Sequence, residues 1–150
     1  DNSIVLVSSI ASHFIADEQP LSYHVAKAGL NQMVRYFAVT LGAQGIRVNS
    51  VSPGTVIKDE SMEFYRKNPR LSELYEKITP LGRMGTSDDV AGVVAFLCSP
   101  QSSFISGQNI VLDGGVSLIG QEALARALAS PDISVVATSG PEHPPEHSNE

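Results

Sequence analysis

Apolar residues along the chain form three short runs and two longer helical stripes. Residues 4–7, 46–51 and 109–112 have the pattern of strands, and the first is a continuous β-branched and Leu run typical of a strand buried on both faces. Over residues 23–41 and 87–98 apolar positions recur at helical spacing. This alternation of strand and helix predicts an α/β fold built on a parallel sheet of about three strands.

Two further regions differ from this pattern. Residues 55–80 are more polar, with a broken helical pattern over 62–65 and 71–78 interrupted by Pro69. Residues 131–150 hold four of the nine prolines and four acidic residues without any Lys or Arg, so they are predicted to be disordered. We therefore predict a folded unit over residues 1–120 and a C-terminal extension over 121–150.

Composition excludes several classes of protein. The 150 residues suit one domain, and 42% of them are hydrophobic, enough for a core. The single cysteine, Cys98, rules out an internal disulfide framework and is compatible with a reducing compartment. We expect it to be a buried residue of a helix. A net charge of −6 argues against nucleic-acid binding. No apolar run is long enough for a membrane-spanning helix. No His or acidic residues have the spacing of metal ligands.

Tyr23 and Lys27 lie four residues apart at the start of a predicted helix, so their side chains share one face. An ordinary phenol has a pKa of about 10 and exchanges protons poorly at neutral pH. A cation one turn away favours the phenolate, and such a Tyr can act as a general acid or base. Ser8 or Ser9, directly after the first strand, could hydrogen-bond the same substrate oxygen.

Pro53 and Gly54 close the second strand at the same end of the sheet, where open parallel sheets bind ligands. Taken singly, these features have ordinary structural interpretations: a solvated Tyr–Lys pair, a polar loop and a turn. Their order along the strands is what predicts a shared crevice.

These residues and their order give the chain a resemblance to the short-chain dehydrogenase/reductase family, which extends from about residue 2 to residue 116. Residues 4–9 are similar to the strand that leads to the family's catalytic serine, and residues 23–27 carry its Tyr-x-x-x-Lys signature. Later segments that match are 45–54 (Gly-Ile-Arg-Val-Asn-Ser-Val-Ser-Pro-Gly), 80–85 (Pro-Leu-Gly-Arg-Met-Gly) and 107–115. The fold that this resemblance implies is the C-terminal half of a Rossmann-like, doubly wound parallel sheet.

The resemblance implies an NAD(P)-dependent oxidoreductase that interconverts an alcohol and a carbonyl by hydride transfer. By similarity, Tyr23 would transfer the proton, Lys27 would support it and hold the nicotinamide ribose, and Ser9 would polarise the carbonyl. The cofactor-binding residues implied are Tyr23, Lys27, Pro53, Gly54 and Val56.

The stretch at about 55–80 resembles the family's substrate lid. The substrate-binding residues implied are Ser9, Ile10, Met62 and Tyr65. Met62 and Tyr65 could equally serve to pack the lid against the rest of the fold.

The family's first half has no counterpart in this sequence, including its glycine-rich phosphate loop and the residue that selects NAD or NADP. We therefore expect activity only if the missing N-terminal half is supplied. Two alternatives stay open: a truncated, catalytically inactive relative that acts through protein–protein interaction, and a fragment without independent function. The resemblance also implies a small alcohol or ketone substrate, a homodimer or homotetramer in the complete protein, and a cytoplasmic location.

Overall fold

A computed structural model describes residues 2–129 of the chain. Its helices and strands follow in the order β1 (Asn2–Val7), α1 (Leu21–Gly42), β2 (Ile46–Pro53), β3 (Val56–Ile57), α2 (Asp59–Lys67), α3 (Pro69–Ile78), β4 (Gly85–Thr86), α4 (Ser87–Cys98), β5 (Asn109–Leu112) and α5 (Gln121–Ala129). The predicted α/β fold class is confirmed.

The main sheet has the strand order β1-β2-β5, and both pairings are parallel. Asn2 lies opposite Ile46 at one end, and Val7 lies opposite Val51 at the other. All three strands therefore end on the same side of the sheet, which brings the segments that follow them together.

The central strand β2 is buried along six of its eight residues, because helices cover it on both faces. Ser50 hydrogen-bonds Asn31 of α1, whereas Arg47 donates to the carbonyl of Leu97 in α4. Since side chains alternate along a strand, these contacts put α1 and α4 on opposite faces of the sheet. Val48 and Val51 are fully buried between them.

The helix α4 begins at Ser87, after the N-cap Thr86, whose hydroxyl accepts a hydrogen bond from the backbone N–H of Asp89. Cys98, expected to be buried, is exposed at the last position of the helix. The helical spacing predicts four inward positions, of which Val90, Val93 and Val94 are half-buried and Leu97 is fully buried.

The polar region 55–80 folds as the helix pair α2 and α3, which meet at Asn68, with Pro69 at the first position of α3. A second, two-stranded sheet joins β3 to β4, pairing Val56 with Gly85 and Ile57 with Thr86. No strand pattern in the sequence predicted this sheet. The division of the chain near residue 120 stays a prediction, and the tail predicted to be disordered from about 131 lies outside the described residues.

Candidate active site

A cavity of about 370 Å³ opens where β1 and β2 end. We call it the β1–β2 cavity. It brings together seven of the residues singled out in the sequence. Its lining is formed by Val7, Ser8, Ser9, Tyr23, Lys27, Pro53, Gly54, Val56, Lys58, Ser87 and Val90.

Tyr23 and Lys27 lie in the first two turns of α1, as their spacing predicted. The Lys27 ammonium lies 5.5 Å from the centre of the Tyr23 ring and donates a 3.0 Å hydrogen bond to the carbonyl of Val7. The end of β1 thus holds the lysine beside the tyrosine. An ammonium has three N–H donors, and this bond uses one of them.

The two serines after β1 have different environments. Ser8 is buried, and its hydroxyl donates to the carbonyl of Lys27 at 2.9 Å, which ties β1 to α1. Ser9 is half-buried at the start of the single-turn 3₁₀ helix Ile10–Ser12, and its Oγ accepts a 3.2 Å bond from the N–H of Ala11. A hydroxyl that accepts this bond keeps its own proton to donate to a ligand.

Gly54 forms part of the opposite wall. Its N–H donates to the carbonyl of Leu112 at 2.9 Å, and a Cβ at this position would lie 2.8 Å from the Cβ of Asp113. That separation is far inside van der Waals contact, so the close approach of β2 and β5 requires glycine here. Val56 is fixed next to this wall by its pairing with Gly85 in the second sheet.

Four lining residues were not among the predicted site residues: Val7, Lys58, Ser87 and Val90. The last two belong to the first turn of α4, which the pairing of Ile57 with Thr86 carries to the cavity. No local sequence pattern shows this approach. For Val7, its position directly before the two serines was a usable signal.

The predicted substrate residues divide between two places. The side chain of Ile10 reaches within 3.7 Å of the Cβ position of Gly54, next to the β1–β2 cavity. Met62 and Tyr65 instead line a separate cavity of about 430 Å³ formed by α2 and α3. There the Tyr65 ring packs edge-on against Tyr75 at 6.1 Å. Burial raises the pKa of the Tyr65 hydroxyl, and Tyr75 and Glu18 raise it further.

His24, the neighbour of Tyr23, holds the loop that precedes α1. Its Nε2 accepts a 3.0 Å hydrogen bond from the N–H of Ala16, and its Nδ1 lies 3.1 Å from the carbonyl of Pro20. Because a backbone N–H can only donate, Nε2 is the acceptor in the bond from Ala16. This arrangement secures residues 16–20 against the start of the helix.

A further cavity of about 540 Å³ lies at the end of β5, and neither Tyr23 nor Lys27 lines it. The Arg83–Asp89 ion pair borders it, with Nη1 and Oδ2 2.7 Å apart. Within residues 2–129 no group of three or more His, Cys, Asp or Glu side chains could hold a metal ion. Over the same residues, none of the helices combines the length and apolar character that a membrane span needs.

Known proteins match this chain over most of its length. The profile of the family described as Enoyl-(Acyl carrier protein) reductase matches residues 1–117. An uncharacterised oxidoreductase of Schizosaccharomyces pombe is 36% identical over 134 residues, which cover 89% of this chain and 51% of the relative. L-rhamnose 1-dehydrogenase (NAD(P)(+)) of Sphingomonas sp. is 37% identical over 114 residues, covering 76% of this chain and 44% of the relative.

Solved structures agree with these relatives. An oxidoreductase of the short-chain dehydrogenase/reductase family from Burkholderia thailandensis has a TM-score of 0.72 and 34% identity, covering 85% of this chain and 49% of that protein. The chain spans about half the length of the curated relatives it matches.

Proposed function

We propose that this chain, which belongs to the short-chain dehydrogenase/reductase family, carries the proton-transfer and substrate-binding half of an NAD(P)-dependent oxidoreductase. The substrates proposed for this enzyme are small alcohols and ketones. The observation that carries the proposal is the convergence of Ser9, Tyr23 and Lys27 on one cavity with Pro53 and Gly54.

Proton transfer is the part of the reaction assigned to Tyr23. In carbonyl reduction its hydroxyl gives a proton to the substrate oxygen, and in alcohol oxidation the phenolate takes that proton back. The Lys27 ammonium, 5.5 Å from the ring centre, places a positive charge beside the group assigned to proton transfer. Ser9 donates its hydroxyl proton to the same oxygen and fixes the substrate's orientation.

The residues present fit the nicotinamide end of the cofactor. The cavity lining includes the apolar residues Pro53, Val56 and Val90, which suit the flat face of a nicotinamide ring. Lys27, in the same lining, has donors beyond its bond to Val7 for the ribose hydroxyls. When bound, the nicotinamide supplies or accepts the hydride, and the protein supplies alignment and the proton.

Binding of the phosphate groups of the dinucleotide is assigned to residues outside these 150. The sequence has no glycine-rich motif of the kind that opens onto a helix N-terminus and binds pyrophosphate. The choice between NAD and NADP depends on the same region. Full activity therefore belongs to a polypeptide or complex that contains a phosphate-binding half.

The helix pair α2–α3 is proposed as the substrate lid. Apolar side chains of α2 are exposed next to the cavity of about 430 Å³. Among them are Met62 and Phe64, which are 56% and 53% exposed. Closure of this pair over the β1–β2 cavity would bring Met62 and Tyr65 to the substrate.

A homodimer or homotetramer is the proposed assembly. The outer face of α1 exposes several apolar side chains, namely Leu21, Val25, Met33, Tyr36 and Val39. An apolar helix face of this extent is typical of an interface between subunits.

Replacement of Tyr23 by Phe tests the assigned chemistry in the complete polypeptide. Turnover of a panel of alcohols and ketones should fall by at least about 10²-fold, the usual contribution of general acid–base catalysis. The thermal midpoint should stay at its wild-type value, because only one oxygen atom is removed. Tyr36→Phe is the matched control, since it makes the same change on an exposed face of the same helix.

Unchanged turnover in Tyr23→Phe would refute the catalytic assignment. Absence of both dinucleotide binding and turnover in the wild-type protein would refute the oxidoreductase itself.

The second candidate, an interaction module without catalysis, rests on β1. Within residues 2–129 this strand pairs on one side only, and its Ile4 and Val7 side chains are 40% and 49% exposed. Such a strand offers a surface for a partner chain. This candidate predicts that Tyr23→Phe leaves the biological activity of the protein unchanged.

A further inference from the structure

Asn31 continues the line of side chains that begins with Tyr23 and Lys27. The three residues follow one another at intervals of four along α1, so they share the face that packs against the sheet. Asn31 is the deepest of them, with 6% of its surface exposed. A buried amide needs hydrogen-bond partners, and those of Asn31 lead to the catalytic serine.

Two hydrogen bonds connect Asn31 to the main chain of Ser9. The Nδ2 of Asn31 donates to the Oγ of Ser12 at 2.8 Å, and the Ser12 hydroxyl donates to the carbonyl of Ser9 at 2.6 Å. The ring nitrogen Nδ1 of His13 also lies within hydrogen-bond distance of the Ser12 hydroxyl, at 2.8 Å.

The other side of the amide is anchored in the core. The Oδ1 of Asn31 lies 3.2 Å from the hydroxyl of Ser50, which is fully buried in β2 and shares its single proton with the Oδ1 of Asn109 at 3.0 Å. Asn31 thus links the buried central strand of the sheet to the turn that presents Ser9.

Packing against α1, which buries Ala11, and the link through Asn31 hold that turn in place. Residues 9–12, which we call the Ser9 turn, contain a 3₁₀ helix of three residues, and helices this short are not stable by themselves. A hydroxyl that must meet a substrate oxygen within a fraction of an ångström needs an external support.

We propose that Asn31 is a positioning residue that fixes the Ser9 turn, through Ser12, relative to Tyr23 and Lys27. This inference rests on the proposed function, because it assigns Ser9 to the reaction. Asn31 does not itself line the β1–β2 cavity. Its effect on catalysis passes through the position of Ser9.

The chain offers a matched control in Asn49. This residue is also a fully buried asparagine with two side-chain hydrogen bonds, to the carbonyl of Ile105 and from the N–H of Gln108. Those bonds serve the loop before β5 and do not reach the Ser9 turn. Asn31→Ala and Asn49→Ala therefore remove similar buried contacts and differ in the segment they support.

Amide hydrogen exchange in the complete protein tests the link without requiring activity. The reporters are the N–H groups of Ser12, His13 and Phe14, which bond to the carbonyls of Ser9 and Ile10. In Asn31→Ala their exchange should be faster by about tenfold, the scale of a lost buried hydrogen bond, after correction for global stability. Asn49→Ala should leave them at the wild-type rate after the same correction.

Kinetics test the consequence for catalysis. In Asn31→Ala, kcat should fall by about tenfold while KM for the dinucleotide stays unchanged, because misplacing Ser9 affects the reacting oxygen and not cofactor binding. Ser12→Ala should have the same effect, and the double variant should be no worse than either single variant. If Asn31→Ala does not fold, Ser12→Ala alone breaks the same link.

The outcomes separate this inference from the proposed function. Wild-type exchange rates in the Ser9 turn of both Asn31→Ala and Ser12→Ala, or additive effects in the double variant, would overturn the role of Asn31. A wild-type protein without turnover would refute the proposed function, whereas the exchange rates would still decide whether Asn31 holds the turn.

Discussion

Gly54 ends β2 at the point where this strand comes closest to the end of β5. A methyl group on its Cα would lie 2.8 Å from the Cβ of Asp113 and 3.1 Å from its Cα. Asp113 has little freedom to withdraw, because its carboxylate accepts hydrogen bonds from the N–H groups of Gly115 and Ser117. Partial burial raises the pKa of Asp113, but the bonds from Ser117 and Gly115 outweigh it, so the pKa lies below its usual value.

Gly54→Ala is therefore expected to destabilise the protein by about 1–3 kcal/mol, the usual cost of forcing a group into packed structure. Gly29→Ala is the control, because a methyl group there meets no atom within 4 Å on the exposed side of α1. That substitution should stabilise by about 0.5–1 kcal/mol through helix propensity. Urea unfolding measures both, and a Gly54→Ala variant as stable as the wild type would contradict the close approach described here.

At the scale of elements, α4 is secured at both ends by contacts outside the helix. Arg47 of β2 donates to the carbonyls of Leu97 and Ser99 at its C-terminus, where a cation also suits the helix dipole. At the N-terminus, Thr86 and Asp89 form a capping box, and Arg83 makes two hydrogen bonds to the Asp89 carboxylate. This end of α4 contributes Ser87 and Val90 to the β1–β2 cavity.

The contacts at the N-terminus of α4 predict that the protein becomes less stable in acid. Hydrogen bonds from Arg83, then those from Thr86, hold the pKa of Asp89 well below its usual range. The unfolded chain therefore binds a proton more readily than the folded one. The stabilisation is complete above the ordinary aspartate pKa of about 3.9 and is lost as the pH falls below it.

Asp89→Asn should lower the thermal midpoint at neutral pH and flatten its decline in acid. Asp88→Asn, which removes one charge from the same turn and leaves the Arg83 contact in place, should retain the wild-type pH profile. Thermal melts over a pH series measure both variants. If the thermal midpoint of Asp89→Asn fell in acid as steeply as that of the wild type, the ion pair would not contribute to stability.

At the scale of the whole molecule, the described residues form a sheet with a lateral edge that is not covered. The outer side of β1 presents backbone N–H and C=O groups beside the exposed side chains of Ile4 and Val7. An edge of this kind pairs readily with another strand. In a complete oxidoreductase of the proposed type, a phosphate-binding half would extend the sheet on this side.

The 150-residue polypeptide produced alone should consequently self-associate in a concentration-dependent manner. Ile4→Lys should reduce this association, because a charged side chain on an edge strand disfavours pairing with a second chain. Sedimentation velocity over a range of concentrations measures the effect. Equal association of the wild type and Ile4→Lys would locate the contact elsewhere, with the apolar outer face of α1 as the next surface to test.

The sequence determined those features that depend on near neighbours in the chain. Strand and helix periodicity predicted β1, β2, β5, α1 and α4, because burial on a sheet or helix face repeats at a fixed interval. The shared face of Tyr23 and Lys27 follows from the same geometry, and so does the common end of the strands that bear Ser9 and Gly54.

Only the tertiary structure decided the features that join distant segments. The pairing of β3 with β4 brings Ser87 to the cavity, and the link from Asn31 to Ser12 spans nineteen residues. Met62 and Tyr65 lie in a cavity of their own because α2 packs against α3, a contact that no short pattern encodes. The physical reason is that periodicity reports which side of an element is buried, whereas the partner on that side is set by the packing of the whole chain.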